Sequence, residues 1–261
     1  MEKELERLIQ IYCRRTDLQD TYPEVEDGDY QALINWAAGV SAKRWQDGDY
    51  DLLHEFKNWY ISHEKAVERP KNEQLVLEAM KKGNVKMKYT LENVVKESDI
   101  SDHLTTLFLL TAEFNLKRIL ELGVRDGLST IALTEAASQI DGHVWSIDID
   151  SCDLAKKKIA QINLNKYWTF IQGNDIEIGN SWKQELDHIF IDTSHVYQHT
   201  LDEINTYEKF LVKNGFITFH DTRSFPGVLR AIKEFLDRNP QKYNFYNYFN
   251  NNGFALLRKI Y

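Results

Sequence analysis

The chain has 261 residues, of which 43% are hydrophobic and 28% charged, and its formal net charge is −8. These values predict a soluble globular protein, built as one large domain or as a domain plus an extension. The negative charge argues against a nucleic-acid-binding protein, and no apolar run is long enough to span a bilayer. Only two cysteines occur, Cys13 and Cys152, without metal-type spacing, which favours free thiols and a cytoplasmic location.

Residues 1–95 contain few glycines and several stretches with apolar residues at helical spacing. We therefore expect a helical N-terminal extension, followed by the main domain over residues 96–261. The extension could be a lid, part of an acceptor site or a homodimer contact, and its sequence does not choose among these. An apolar helix over about 104–114 is predicted to lie against the sheet just before the first strand.

From Lys117 onward, strand and helix patterns alternate, which indicates an α/β fold with a doubly wound, mostly parallel sheet. The predicted strands cover 118–122, 143–148, 168–172, 187–192 and 216–220, and the predicted helices 128–139, 152–163, 198–211 and 228–237. Gly215 is predicted to cap the third of these helices. Two aromatic or apolar runs, over 243–248 and 254–259 on either side of Asn250 to Gly253, predict a terminal β-hairpin.

The most specific signal is the loop between the first strand and its helix. Glu121, Gly123 and Gly127 give the spacing Glu-x-Gly-x-x-x-Gly, and the helix begins near Ser129. A dinucleotide-binding loop needs Gly-x-Gly-x-x-Gly, and Arg125 stands where its central glycine would be. An acidic residue before the first glycine suits a cationic ligand better than a diphosphate. An NAD-dependent oxidoreductase is therefore the less favoured reading.

This loop resembles motif I of the class I S-adenosylmethionine (SAM) methyltransferases. Five parallel strands closed by a hairpin also resemble the Rossmann-like, seven-stranded sheet of that family, which has one antiparallel strand at this end. The resemblance covers residues 100–261 and implies SAM as cofactor. The residues that it implies for cofactor binding are Glu121, Gly123, Gly127, Ser129, Asp148 (for the ribose hydroxyls), Asn174 or Asp175 (for adenine) and Asp192.

Two further strand ends carry residues suited to chemistry. Strand four ends at Asp192, with His195 three residues on, and strand five ends at His220-Asp221. Because neighbouring parallel strands end at one edge of the sheet, these four side chains should converge. One use is a divalent metal site of Asp192, Asp221 and His220 that acidifies a substrate hydroxyl. The other is a metal-free histidine or aspartate base, with His195 as first candidate and His220 as second.

The pattern Phe-Ile-Asp-x-x-His…His-Asp is similar to the macrocin-type O-methyltransferases of antibiotic and glycan sugars. Magnesium-dependent relatives carry Gly-Asp where Thr193-Ser194 stand here, and Asp where His220 stands. Histidine suits manganese, iron or zinc better than magnesium, so the metal requirement stays open. The resemblance implies methyl transfer from SAM to a hydroxyl of a small molecule, sugar or glycan. The alternative is a protein that keeps the fold but acts as a non-catalytic partner in glycan assembly.

Overall fold

The computed structural model describes residues 87–94, 96, 98–248 and 251–261. The predicted helical extension lies mostly outside these residues, so its structure and the boundary at residue 95 stay predictions. Within the described part of the chain, none of the helices is long and apolar enough to cross a membrane.

Helices and strands alternate along most of the described chain. We number them from the first described element. The helices are α1 (Tyr89–Val94), α2 (Ser101–Glu113), α3 (Leu128–Gln139), α4 (Asp153–Gln161), α5 (Asp175–Ser181), α6 (Tyr197–Tyr207) and α7 (Pro226–Arg238). The strands are β1 (Arg118–Leu122), β2 (His143–Asp148), β3 (Trp168–Gln172), β4 (Leu186–Ile191), β5 (Leu211–His220), β6 (Tyr243–Tyr248) and β7 (Phe254–Lys259).

The strands form one seven-stranded sheet in the order β3-β2-β1-β4-β5-β7-β6. Strands β1 to β5 are parallel, and β7 runs antiparallel to both β5 and β6. The predicted doubly wound Rossmann-like sheet of the methyltransferase type is thereby confirmed. The strand order reverses between β1 and β4, and ligands of such sheets bind beyond the carboxyl ends of the strands near that point.

Both faces of the sheet are covered by helices, which explains the continuous apolar runs of the central strands. On β4, Phe190 packs with α1, α2 and α3, whereas Ile189 and Ile191 pack with α6 and α7 on the opposite face. Helix α1 belongs to the first of these layers, because Met87 and Val94 are buried with Phe108. The residues just before the predicted boundary thus contribute to the core of the main domain.

The start of β5 differs clearly from the sequence-based prediction. The predicted helix over 198–211 ends at Tyr207, and β5 begins at Leu211, five residues earlier than expected. Leu186 pairs with Leu211, and an irregularity in the register between Leu186 and His188 accommodates the extra residues of β5. Gly215 therefore lies inside the strand and caps no helix. A Cβ at Gly215 would lie 2.9 Å from the carbonyl oxygen of Asp187, so close strand packing accounts for this glycine.

Candidate active site

The loop after β1 is shaped by two glycines with positive φ. Gly123 has φ of 87°, and a Cβ there would lie 1.9 Å from the carbonyl oxygen of Asp192 on the neighbouring strand end. Gly127 has φ of 76°, forms the N-terminal boundary of α3 and packs against Ala155 of α4. Side chains other than hydrogen are excluded at both positions, so the spacing identified in the sequence reflects close backbone packing.

Asp148, at the end of β2, holds this loop in place. Its Oδ2 accepts hydrogen bonds from the backbone N–H groups of Val124 (2.8 Å) and Arg125 (3.1 Å), and its Oδ1 accepts one from Asp150 N–H (2.9 Å). Burial opposes ionisation, but these three donors outweigh it and hold the pKa of Asp148 below its ordinary value. The carboxylate therefore stays charged beside the loop, and its predicted contact with the ribose stays a prediction.

Glu121 lies beneath the loop and is fully buried, with 0% of its surface exposed. Its carboxylate accepts hydrogen bonds from the hydroxyls of Ser129 (2.7 Å), Thr130 (2.8 Å) and Ser146 (2.6 Å). Burial raises the pKa of Glu121 to about 7, against the opposing effect of the hydroxyl donors. The side chain thus ties the start of α3 to β2, and a direct contact with SAM stays a prediction.

The residues after β3 form a helix that the sequence did not predict. The Asn174 side chain caps α5 by accepting the N–H of Glu177 at 3.0 Å. The Asp175 carboxylate is buried and lies 3.0 Å from His199 Nε2 on α6. Neither residue is among those that line the pocket described below, and the predicted adenine contact of either stays untested.

At the ends of β4 and β5, the four predicted side chains do converge. His195 Nε2 lies 2.8 Å from Asp221 Oδ2 and 3.4 Å from Asp192 Oδ1. His220 Nδ1 lies 3.4 Å from each of the same two oxygens. We call these four side chains the acceptor cluster. Their convergence follows from the parallel pairing of β4 with β5.

Two residues of the acceptor cluster, His195 and Asp221, have unusual backbone conformations. His195 has φ of 57° and Asp221 has φ of 60°, both in the left-handed region that non-glycine residues rarely adopt. The His195 ring is also stacked on Phe225, with ring centroids 4.1 Å apart. Strained conformations of this kind persist where the surrounding structure fixes them, and they concentrate at functional sites.

The two carboxylates and two imidazoles of the acceptor cluster perturb each other's ionisation. Burial disfavours the charged form of His195, but hydrogen bonds to Asp192 and Asp221 prevail and raise its pKa to about 9. Burial also disfavours the charged form of His220, but Asp192 and Asp221 prevail and raise the pKa of His220 well above its ordinary value. The histidines in turn hold the pKa of Asp192 and of Asp221 below its ordinary value, against the effect of burial.

The hydrogen-bond partners of His220 fix which of its nitrogens carries a hydrogen. Nε2 faces two backbone carbonyl oxygens, those of Asp99 at 3.0 Å and Asn251 at 3.2 Å. Carbonyl oxygens only accept hydrogen bonds, so Nε2 must be the donor. Nδ1, which faces Asp192 and Asp221, is therefore free to present a lone pair whenever the ring is neutral.

The acceptor cluster also fits the requirements of a divalent metal ion. Metal–ligand bonds of about 2.0–2.2 Å place neighbouring ligand atoms about 2.8–3.6 Å apart. The nitrogen–oxygen distances of 2.8 and 3.4 Å in the cluster lie in that range. Asp221 Oδ1 is buried without a hydrogen-bond partner in the described structure, so the carboxylate has capacity left for a cation. A mixture of imidazole and carboxylate donors suits manganese, iron or zinc.

A pocket lies between the glycine loop and the acceptor cluster. Its lining residues come from the segment before α2, from the glycine loop and the start of α3, and from the residues after β4; they are Ile100, Gly123, Val124, Arg125, Asp126, Leu128, Ser129, Asp192, Thr193 and His195. Three predicted cofactor residues, Gly123, Ser129 and Asp192, are thus brought together with the candidate base His195. The other two members of the acceptor cluster, His220 and Asp221, are not among the lining residues.

Two contributors to this pocket were missed in the sequence. Ile100 lines it from the segment before α2, and Asp99 forms a bidentate salt bridge with Arg125 of the glycine loop, at 2.8 and 2.9 Å. The hairpin turn completes the arrangement, because Asn251 Nδ2 donates to the carbonyl of Ser98 at 2.9 Å. Neither segment has a recognisable motif, so only the packed fold reveals them.

Comparison with protein families gives one match. Residues 120–222 match the family model described as a methyltransferase domain. A comparison with curated protein sequences gives no match.

Several solved structures share the fold. The SAH-bound methyltransferase PaMTH1 of Podospora anserina has a TM-score of 0.56 at 14% identity, covering 74% of this chain and 96% of that one. An O-methyltransferase from Bacillus cereus in complex with SAH has a TM-score of 0.55 at 19% identity, covering 71% of this chain and 97% of that one. The O-methyltransferase TomG from Streptomyces achromogenes, involved in tomaymycin synthesis and in complex with SAM, has a TM-score of 0.56 at 15% identity, covering 70% of this chain and 95% of that one. At these identities the likeness concerns the fold, and with the domain match it supports a class I SAM methyltransferase.

Proposed function

We propose that this protein transfers the methyl group of SAM to a hydroxyl of a small molecule, with a sugar hydroxyl as the favoured acceptor. The observation that carries the proposal is the acceptor cluster, which borders a pocket whose other wall is the glycine loop. The methyltransferase match supports the donor. The sugar rests on the sequence resemblance to the macrocin-type enzymes.

In the proposed reaction, the acceptor oxygen attacks the methyl carbon in line with the sulfur. The carbon–sulfur bond breaks, its electron pair stays on sulfur, and SAH leaves. The glycine loop, with Asp148 behind it, would hold the donor, and Asp192 would border both substrates. Alignment and exclusion of water are the main contributions of the protein to such a step.

The proton of the acceptor hydroxyl must also be removed, and we assign this to His195 Nε2. With a pKa of about 9, His195 is protonated near neutral pH as long as Asp192 and Asp221 face it as bare carboxylates. Asp192 and Asp221 would hold a divalent cation, whose charge would offset the carboxylates that keep the proton on His195 and would lower the pKa of His195 into the range of a useful base.

We assign the ligands of such a cation to Asp192, Asp221 and His220. His220 is chosen as the nitrogen ligand because its Nε2 hydrogen is fixed by two carbonyls, which leaves Nδ1 directed at both carboxylates. When bound, a divalent ion supplies a Lewis acid that lowers the pKa of a coordinated hydroxyl. The rival assignment takes His195 as the ligand, since its Nε2 is nearer to Asp221.

Turnover assays with single variants test these roles. Formation of SAH is measured with a panel of sugars, nucleotide sugars and phenols, after chelation and after Mn²⁺ is added back. We expect chelation to lower turnover at least about 10-fold, and His195→Gln to lower it about 100-fold or more while Mn²⁺ binding persists. His220→Gln should lose the Mn²⁺ of the acceptor cluster, and His143→Gln, on β2 away from the cluster, should behave as wild type.

Each part of the proposal has a result that contradicts it. Wild-type turnover by His195→Gln would exclude His195 as the base, and loss of the Mn²⁺ of the acceptor cluster from that variant would identify His195 as a metal ligand. Turnover unaffected by chelation would contradict a role for a metal ion in the reaction. A thermal shift with NAD and none with SAM would contradict the methyl donor and favour the oxidoreductase. SAM binding without turnover on any acceptor in the panel would favour the non-catalytic partner.

A further inference from the structure

A second group of potential metal ligands lies outside the acceptor cluster. The group consists of Asp175 at the start of α5 and of His199 and Glu203, which lie one turn apart on α6. Each side chain offers one ligand atom, and these atoms lie within 4.8 Å of one another. We call these three side chains the α5–α6 cluster. His199 Nε2 is 3.0 Å from Asp175 Oδ2 and 3.6 Å from Glu203 Oε1.

Burial makes this arrangement costly as it stands. Glu203 has 0% of its surface exposed, and its Oε2 is buried without a hydrogen-bond partner among the described residues. Its other oxygen accepts a hydrogen bond from Thr193 Oγ1 at 2.7 Å. An unpaired oxygen of a buried carboxylate is a large free-energy penalty, and such groups normally bind a partner or an ion.

The cluster places two carboxyl groups next to one imidazole, with the ligand atoms of Asp175, His199 and Glu203 within 4.8 Å of one another. Two carboxyl groups in contact need either a shared proton or a cation between them. His199, which is partly exposed, gives a cation a way in from the solvent.

We propose that Asp175, His199 and Glu203 form a second, structural binding site for a divalent transition-metal ion. The separations of 3.0 and 3.6 Å match those expected between ligands at bond lengths of about 2.0–2.2 Å. One imidazole with two carboxylates suits zinc, manganese or cobalt; calcium and magnesium prefer sites made of oxygens alone.

An ion at this position would join three segments. It would link the start of α5 to α6 and, through the hydrogen bond from Thr193 to Glu203, would hold the residues that follow β4. These residues include Asp192 and His195, so the ion would stabilise the wall of the pocket without touching the reacting groups. Tyr207 strengthens the same junction by donating its hydroxyl to the carbonyl of Asp175 at 2.5 Å.

Co²⁺ is a suitable probe, because bound ions can be counted and their visible spectrum reports nitrogen coordination. The full-length protein is freed of metal by a chelator and titrated with Co²⁺ alone. With both sites present, we expect two ions in the wild type and one in Asp221→Asn, which leaves the α5–α6 cluster intact. In the Asp221→Asn background, His199→Gln and the isosteric Glu203→Gln should each lower the remaining affinity at least about 10-fold. His143→Gln in that background should change nothing.

The outcomes separate this site from the acceptor cluster. One ion in the wild type, kept by Asp221→Asn but lost in His199→Gln, would contradict the metal of the acceptor cluster and support the second site. A folded Asp221→Asn protein that binds no Co²⁺ would overturn the second site, and the cluster would then hold only a shared proton. So would unchanged affinity in both the His199 and the Glu203 variants. Because the Asp221→Asn result needs no change in α6, misfolding of the α6 variants does not block the test.

Discussion

His195 Nε2 lies 2.8 Å from Asp221 Oδ2, although the two residues come from loops that follow different strands. Both residues have positive φ, so their backbones are bent to bring the imidazole and the carboxylate together. The pair joins a candidate proton acceptor to a candidate metal ligand. Its ionisation therefore decides which of the two chemistries the site can perform.

Asp221→Asn should lower the pKa of His195 in the metal-free protein. The pKa is about 9 because Asp192 and Asp221 stabilise the imidazolium against burial, and removal of one charge within 4 Å should lower it by about one unit or more. Titration of the histidine signals by NMR in the presence of a chelator measures this. Asp237→Asn, on α7, is the control. A His195 pKa unchanged by the loss of Asp221 would contradict the coupling.

The same coupling has a defined effect on stability. A histidine whose pKa is raised on folding stabilises the protein below its unfolded pKa near 6.5, and this contribution is lost as the pH rises through about 9. The free energy of unfolding of the metal-free wild type should therefore exceed that of Asp221→Asn by more at pH 6 than at pH 10. A difference in the free energy of unfolding between the two proteins that grows with pH would contradict this prediction.

Glu121→Gln should weaken the binding of SAM and SAH by the same factor. Three hydroxyls donate hydrogen bonds to the Glu121 carboxylate. In glutamine an NH₂ group replaces one of the two accepting oxygens, so at least one of these hydrogen bonds is lost, at a cost of about 1–3 kcal/mol in the free energy of unfolding. Calorimetry with both ligands and a thermal melt measure the two effects. SAM carries the sulfonium charge that SAH lacks, so a larger loss for SAM would mean that Glu121 acts directly on the cofactor.

The sequence predicts the centre of this sheet well, because buried parallel strands are short apolar runs with clear ends. The bounds of β1, β2 and β3 and those of the hairpin strands agree with the structure. It fails at β5, because the residues from Glu208 to Asn214 have no pattern that separates a helix end from a strand start. Pairing of Leu211 with Leu186 decides their conformation, and that contact is between distant residues.

The sequence likewise predicts one part of the site and misses another. It predicts that Asp192, His195, His220 and Asp221 lie close together, because this follows from strand order and from the rule that ligands bind at the carboxyl ends of strands. The α5–α6 cluster could be half predicted, because His199 and Glu203 are four residues apart and share one face of a helix. Its third member, Asp175, belongs to a short helix whose packing against α6 cannot be read from local sequence.

Asp148→Asn should disorder the glycine loop and reduce SAM affinity by about 10- to 100-fold. The carboxylate accepts two backbone hydrogen bonds from the loop, and bonds to a charged group are each worth about 1.5–3 kcal/mol. Calorimetric titration with SAM measures the loss. Asp150→Asn is a matched control, because Asp150 contacts Asp148 through its backbone N–H, which the substitution retains. Equal affinities in the two variants would contradict this role of Asp148.

Glu135→Gln should detach the segment around α1 from α3. The Glu135 carboxylate accepts the N–H groups of Lys88, Tyr89 and Thr90 and the hydroxyl of Thr90, at 2.7–2.9 Å. An amide cannot accept all four, so we expect the free energy of unfolding in urea to fall by about 2 kcal/mol. Glu113→Gln, exposed at the end of α2, is the control. Similar stability of the two variants would show that packing alone holds α1.

Glu208→Gln should destabilise the protein in a manner that depends on pH. Glu208 Oε1 accepts hydrogen bonds from Lys242 Nζ (2.7 Å) and the Tyr243 hydroxyl (2.6 Å), and Lys259 Nζ lies 3.0 Å away. Burial opposes its ionisation, but these partners prevail and lower the pKa of Glu208 to about 2. A carboxylate with a depressed pKa stabilises the fold above its unfolded pKa near 4.5, and the contribution is lost as the pH falls through about 2. The shift corresponds to at most about 3 kcal/mol.

Urea unfolding of wild type and Glu208→Gln between pH 7 and pH 2.5 measures this contribution. The difference between the two proteins should be constant above about pH 5 and should shrink steadily below pH 4.5, because protonation removes the same charge that the substitution removes. Glu177→Gln, exposed on α5, serves as the control and should show no such trend. A difference that stays constant down to pH 2.5 would mean that Glu208 stabilises the junction of β6 and β7 by packing and not by its charge.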